Sequence, residues 1–113
     1  MIDAKRAAAA VEFLIDSAAE YGAARADVIR LEAMLRHIKA LAMKASDEKS
    51  AAGQEREAYA SEAYKTAIAD LFSAAKAAET LRAQREAAQA TIEYWRSANA
   101  NQRAAERGYG SAA

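Results

Sequence analysis

The fold is decided by residues 61–107, SEAYKTAIADLFSAAKAAETLRAQREAAQATIEYWRSANANQRAAER, a stretch that contains no proline and no glycine. Apolar or small side chains recur along it in alternating steps of three and four residues. They fall on two lines of a seven-residue repeat: Tyr64, Leu71, Ala78, Arg85 and Ile92 on the first, and Ala67, Ala74, Leu81, Ala88 and Trp95 on the second. This heptad pattern predicts a long helix that packs against other helices, as in a coiled coil.

The composition of the whole chain favours helix in the same way. About a third of the 113 residues are alanine, the strongest helix former, and proline is absent. We therefore expect an all-α protein of one domain. Large apolar side chains are few, and two alanine-rich helices facing each other bury little area. The sequence thus predicts self-association of the chain into a helical bundle, as a dimer or a higher homo-oligomer.

A first helix is predicted over residues 4–45, with Asp3 as its N-cap. Its apolar positions follow steps of three and four residues, and we assign them as Val11, Leu14, Ala18, Tyr21, Ala24, Val28, Leu31, Leu35, Ile38 and Ala42. The extra step of three at Tyr21–Ala24 departs from a strict heptad. Because Gly22 lies beside it, the pattern predicts local overwinding or a gentle kink there.

Two further helices are predicted after a short connection. Ser46 is a candidate N-cap for a short helix over residues 47–59, although Gly53 leaves an irregular connector as the alternative. Ser61 is a candidate cap for the third helix, over residues 61–107, and residues 108–113 are expected to form a flexible tail. The similar lengths of the two long helices predict an elongated antiparallel hairpin.

Nine larger side chains are expected to form the seam that holds the hairpin and its oligomer together: Leu14, Tyr21, Val28, Leu35, Ile38, Tyr64, Leu71, Leu81 and Ile92. Arg85 is the unusual residue on that seam. It could specify the register, pair with an acid on a facing helix, or extend its charged end into solvent.

Charge and composition exclude several classes of protein. Sixteen basic and sixteen acidic residues give a formal net charge of zero, so no global electrostatic attraction to nucleic acid is predicted. Cysteine is absent, which excludes disulfides and thiolate metal sites. The first sixteen residues do not have the pattern of a signal peptide, and no stretch is apolar enough for a membrane span. We expect a soluble cytoplasmic protein without membrane contact.

The sequence gives no indication of an enzyme. His37 is the only histidine, and no nucleophile, glycine-rich phosphate loop or metal-binding motif accompanies it. We therefore predict no catalytic residue, no metal site and no cofactor.

The most distinctive local feature lies near the end of the third helix, where the apolar seam fades after Trp95. Arginine and aromatic side chains gather there, and the candidate contact residues are Tyr94, Trp95, Arg96, Asn99, Arg103 and Arg107. Tryptophan, tyrosine and arginine dominate protein-binding hot spots. The same residue types can hold single-stranded DNA through phosphate contacts and base stacking. A frayed helix end is the third interpretation.

Three segments carry a resemblance: KSAAGQEREAYASEAY at 49–64, LRAQREAAQATIEYWRS at 81–97 and NQRAAER at 101–107. They resemble small helical proteins of tailed bacteriophages and prophages, whose genes often lie among recombination or replication functions. Similar proteins carry a proline near the Ser61–Glu62 boundary that this chain lacks. The resemblance implies phage origin and brings no catalytic residue with it.

Our leading hypothesis is a non-enzymatic, oligomeric accessory protein of phage DNA recombination or replication. Its helix seams would build the oligomer, and the segment from Trp95 to Arg107 would contact a protein partner or single-stranded DNA. Two alternatives stay open. One is a protein that inhibits a host or defence enzyme, or sequesters a signalling molecule, and the other is a virion assembly protein.

Overall fold

The computed structural model describes residues 1–112, with side chains up to position 108. Within that range the chain forms three helices and no strand: α1 (Ala4–Ala45), α2 (Ala51–Ala60) and α3 (Glu62–Ala112). The predicted all-α class is confirmed. The chain divides into two compact units. Unit 1 joins Met1–Glu20 to the part of α3 from Leu81 onward, and unit 2 comprises Tyr21–Thr80.

α1 begins where its cap predicts. The Asp3 carboxylate accepts a hydrogen bond from the backbone N–H of Arg6 at 2.9 Å, and its carbonyl accepts one from Ala7. The bond from Arg6 satisfies a backbone donor of the first turn, which has no partner inside the helix, and the bond from Ala7 is the first regular bond of the helix. α1 then runs through Gly22 without interruption to Ala45.

The apolar seam of α1 differs from the predicted one at its amino-terminal end. Ala7, Ala10 and Ser17 are buried, whereas Val11 is 43% exposed and Ala18 is also exposed. The seam therefore follows steps of three and four residues from Ala7 onward, and the predicted departure from the heptad beside Gly22 is not needed. The sequence favours Val11 and Ala18 because they are more apolar than Ala10 and Ser17. Ser17 is buried because it has a polar partner on α3.

That partner is Arg85, the unusual residue on the seam of α3. Its Nη1 donates to the Ser17 hydroxyl at 2.7 Å and to the Leu14 carbonyl at 2.8 Å. Of the interpretations left open by the sequence, the structure supports a polar contact that fixes register, with a serine and a backbone carbonyl as acceptors. Since Arg85 meets Leu14 while Trp95 borders a groove with Ala4–Val11, α1 and α3 run antiparallel within unit 1.

α2 begins later than predicted, at Ala51, and its N-cap is Ser50 and not Ser46. The Ser50 hydroxyl accepts a hydrogen bond from the backbone N–H of Gly53 at 3.0 Å. Ser46 does not cap α2, because its hydroxyl donates a hydrogen bond to Glu57 and accepts one from the N–H of Glu48. Gly53 is buried, and a Cβ there would lie 3.0 Å from both the Glu48 carboxylate and the Ser50 hydroxyl. The close approach of the connector accounts for glycine at this position.

Ser61 separates α2 from α3 and caps both helices. Its hydroxyl donates to the Ala58 carbonyl at 2.7 Å and accepts from the N–H of Tyr64 at 3.2 Å. The third helix thus begins at the serine that the sequence indicates. It extends to Ala112, beyond the predicted end at Arg107. Ala113 and the side chains after position 108 lie outside the described residues, so the flexible tail at 108–113 stays a prediction.

The core of the described chain is made mostly of alanine. Its buried apolar residues are Ala7, Ala10, Val28, Ala58, Ala67, Ala78 and Ala88. The other larger seam residues are half-buried: Leu14, Tyr21, Leu35, Ile38, Tyr64, Leu71, Leu81 and Ile92. Among the described residues no large side chain is fully buried. Several large apolar side chains are instead mostly exposed: Ile15, Ile29, Leu41, Phe72 and Tyr94.

Candidate partner-binding site

The six predicted contact residues all lie on α3, in unit 1. Trp95 and Asn99 are on the seam and half-buried, while Arg96, Arg103 and Arg107 are exposed. A helix turns by about 100° per residue, so Arg96, Asn99, Arg103 and Arg107 fall on one stripe beside Trp95. We call these four residues the arginine stripe.

Tyr94 does not join the arginine stripe. It lies two residues before Arg96, which places it roughly 200° away around the helix. Its side chain is 60% exposed on that other side. The structure thus separates one predicted contact residue from the rest, because side chains two positions apart on a helix point in nearly opposite directions.

A shallow polar concavity of about 690 Å³ borders the arginine stripe. Its lining consists of Glu93, Trp95, Arg96, Ser97, Asn99, Ala100 and Arg103. Within residues 1–108, neither Arg96 nor Arg103 forms an ion pair, and Glu93 does not reach either guanidinium. By contrast, Arg82 lies 2.8 Å from Glu86 on the same helix. The charges of Arg96 and Arg103 are therefore available to an acidic ligand.

An apolar groove of about 240 Å³ adjoins the polar concavity and shares Trp95 and Arg96 with it. The remaining lining residues are Ala4, Ala7, Ala8 and Val11 from α1, and Ile92 from α3. The sequence interpretation did not foresee the residues from α1. Antiparallel packing of the two long helices is the signal that could have indicated them, because it brings the start of one helix beside the end of the other.

A second polar cluster attaches α2 to α1 within unit 2. Lys39 Nζ donates to the Tyr59 hydroxyl at 2.8 Å and to Glu55 Oε1 at 3.0 Å. The hydrogen bond to Tyr59, and then that to Glu55, raises the pKa of Lys39 to about 12. The hydrogen bond from Lys39, and then that of Tyr59, lowers the pKa of Glu55. The Tyr59 ring also meets Tyr64 edge-on, with centroids 5.1 Å apart.

His37 is an exposed residue of α1. No group of three or more histidine, cysteine, aspartate or glutamate side chains within the described part of the chain could hold a metal ion. Nor does any helix among these residues have an apolar run of the length that a bilayer crossing demands.

Comparison of the chain with protein-family models, with curated proteins and with solved structures finds no match.

Proposed function

We propose that the chain is a non-enzymatic, homo-oligomeric accessory protein of bacteriophage origin that acts in the host cytoplasm during DNA recombination or replication. In this proposal α1 and α3 pair as an antiparallel hairpin along their length, and hairpins associate into a bundle. The end of α3 then contacts a partner protein. The phage and recombination parts rest on the sequence resemblance, whereas the oligomer rests on the core.

The alanine core is the single observation that carries the proposal. Burial of a large apolar side chain contributes about 1.5–3 kcal/mol, but no such side chain is fully buried among the described residues. The chain exposes 8347 Å², while a monomeric protein of 12.1 kDa typically exposes about 6000 Å². The excess of about 2300 Å² is more than the roughly 800 Å² that each partner buries in a standard interface. A standard interface with a second copy would bury about a third of this excess.

The face that fits the second copy lies in unit 2. Phe72 of α3 is 72% exposed and Ile29 of α1 is 61% exposed. Met34 shares a groove with Ala63 and Asp70 on one flank of the seam. At about 100° per residue, Ile29 and Phe72 fall on the opposite flank of their helices. Both side chains are exposed, and we assign them to the face that a second copy covers.

Light scattering after size exclusion tests the oligomer directly. We expect the wild type to have a multiple of the 12.1 kDa chain mass at micromolar concentration. Phe72→Glu and Ile29→Glu place a charge on the proposed face and are expected to yield monomers. Leu41→Glu is the matched control, since Leu41 is 52% exposed in unit 2 but lies on the flank that carries Met34. A cooperatively folded wild-type monomer would refute the oligomer.

Single-stranded DNA is a second candidate ligand, favoured by the arginine stripe. Arg96 and Arg103 are exposed and have no carboxylate partner within residues 1–108. If they bind phosphates, replacing Arg96, Arg103 and Arg107 with alanine reduces the dependence of log affinity on log salt by about 0.7 per lost contact. Fluorescence anisotropy with a labelled thymidine oligomer measures that slope. Absence of wild-type binding at low salt would exclude DNA as the ligand.

A further inference from the structure

We infer that the polar concavity and the apolar groove at Trp95 and Arg96 form one binding site for an acidic segment of a partner protein that carries a large apolar side chain. This inference rests on the proposed function, because it names the chemistry of the partner that the accessory protein contacts. The inference is based on the fact that the polar concavity and the apolar groove adjoin each other and share Trp95 and Arg96 as lining residues.

The apolar groove determines the first half of the ligand. All of its lining residues except Arg96 are apolar, and Val11 at its edge is 43% exposed. Its volume of about 240 Å³ lies below the usual ~300–1000 Å³ of pockets that enclose a small molecule. One large apolar side chain, held by the rest of a peptide outside, suits a groove of this size.

The arginine stripe determines the second half. Arg96 and Arg103 are seven residues apart on α3, which separates their Cα atoms by about 10.5 Å along the helix axis. Two acidic residues three positions apart in an extended peptide span about 10 Å. Each guanidinium can therefore receive one carboxylate with charge-assisted hydrogen bonds. Glu93, on the other side of Arg96, repels carboxylates and directs the acidic part of the peptide toward Arg103.

A peptide fits this site better than single-stranded DNA. Sequence-tolerant DNA binding relies on several aromatic rings on which successive bases stack. Here Trp95 is half-buried against α1, and Tyr94 lies on the other side of the helix.

Trp95 provides the measurement, because it is the only tryptophan in the chain. Four tryptophan-free peptides are titrated while the fluorescence emission of Trp95 is recorded. Two of the peptides are acidic, and in the other two serines replace the acidic residues. Within each pair, one peptide carries a single phenylalanine and the other has alanine in its place. We expect measurable saturation with the acidic phenylalanine peptide, at least tenfold weaker binding when either feature is removed, and no binding when both are removed.

Matched variants assign each half of the ligand to its depression. Ala8→Leu fills the apolar groove and is expected to weaken binding at least tenfold, whereas Ala9→Leu, at an exposed neighbour outside the groove, leaves the affinity unchanged. Arg96→Gln and Arg103→Gln are each expected to weaken binding roughly two- to fivefold, as removal of one exposed ion pair does. Arg82→Gln, with its charge about four turns before Arg96, has no such effect.

Several outcomes overturn the inference. Equal affinity for all four peptides, or equal effects of Ala8→Leu and Ala9→Leu, excludes the two-part site. Binding of a thymidine oligomer but of no peptide identifies the stripe as a phosphate site instead. A change in oligomer mass caused by Ala8→Leu alone identifies the groove as a contact between copies. Light scattering on the wild type reports separately on the proposed function, so failure of the peptide site leaves the oligomer standing.

Discussion

Arg85 and Ser17, 68 residues apart in the chain, are joined by a hydrogen bond of 2.7 Å between the guanidinium and the hydroxyl. The bond lies in a seam that is otherwise mainly alanine and larger apolar side chains. If α1 shifts by one heptad, the guanidinium faces an apolar or small side chain in place of this hydroxyl. The alanines of the two helices would pack equally well in several alignments. A polar contact of this kind therefore favours one of those alignments over the others.

Removal of the Ser17 hydroxyl tests this contact. Ser17→Ala is expected to lower the free energy of unfolding by about 1.5–3 kcal/mol, as loss of one hydrogen bond to a charged group does. In an Arg85→Leu background the same change is expected to cost nothing, since the donor is gone. Urea unfolding of the four proteins gives the coupling energy. A coupling within error of zero would contradict a role for the bond in stability.

The cluster of Lys39, Glu55 and Tyr59 predicts how the attachment of α2 depends on pH. The pKa of Glu55 is lowered from its ordinary 4.5, so its contribution is present above pH 4.5 and is lost as pH falls through the lower folded-state pKa. The pKa of Lys39 is raised from 10.5 to about 12, so its contribution is present below pH 10.5 and is lost as pH rises through 12.

Hydrogen exchange of the α2 amides measures this dependence on the acid side. We expect protection at pH 6 to exceed that of Glu55→Gln, and the difference to shrink as the pH falls below 4.5. Glu62→Gln, in the first turn of α3, controls for a general effect of removing an acid. A difference that stays constant as the pH falls below 4.5 would show that the Glu55 charge does not hold α2.

Alanine at the core determines how closely the helices approach. Ala78 is 1% exposed, and a larger side chain there must push α3 away from its neighbour. We expect Ala78→Leu to lower the free energy of unfolding by about 1–3 kcal/mol through overpacking. Ala77→Leu, at the exposed neighbouring position, should change it by less than about 0.5 kcal/mol. Chemical denaturation of both variants makes the comparison; equal effects would contradict close packing at Ala78.

The surroundings of Gly22 in α1 and Gly53 in α2 predict different effects of alanine substitution on the free energy of unfolding. A Cβ at Gly22 meets nothing within 4 Å, so Gly22→Ala should raise the free energy of unfolding by about 0.5–1 kcal/mol. A Cβ at Gly53 lies 3.0 Å from the Ser50 hydroxyl that caps α2. Loss of an N-cap costs about 1 kcal/mol, so Gly53→Ala should be no more stable than the wild type. Thermal melts of both variants test the contrast.

Much of the fold could be predicted from local sequence. Asp3 and Ser61 are followed by long runs without proline, and each provides the N-cap hydrogen bond that its residue type predicts. The α3 seam follows from its heptads alone, because its large and small residues alternate without ambiguity. Ser46 and Ser50 were harder to separate, since both serines precede helical sequence. The choice depends on the contact of Ser46 with Glu57, eleven residues away.

The candidate site could be predicted only in part, for a similar reason. The arginine stripe follows from spacing on one helix. The apolar groove beside the arginine stripe is lined in part by Ala8 and Val11, which come from the other end of the sequence. Ser17 looks unsuitable for a seam until its partner Arg85 is known. Such long-range partners decide which of two neighbouring small residues faces inward, and composition does not contain that information.

Only Ser61 stands between α2 and α3, with φ of −70° and ψ of 149°. The whole change of direction between these helices is therefore concentrated in the two torsions of one amino acid. A substitution that changes either torsion of Ser61 would therefore redirect α2 relative to α3.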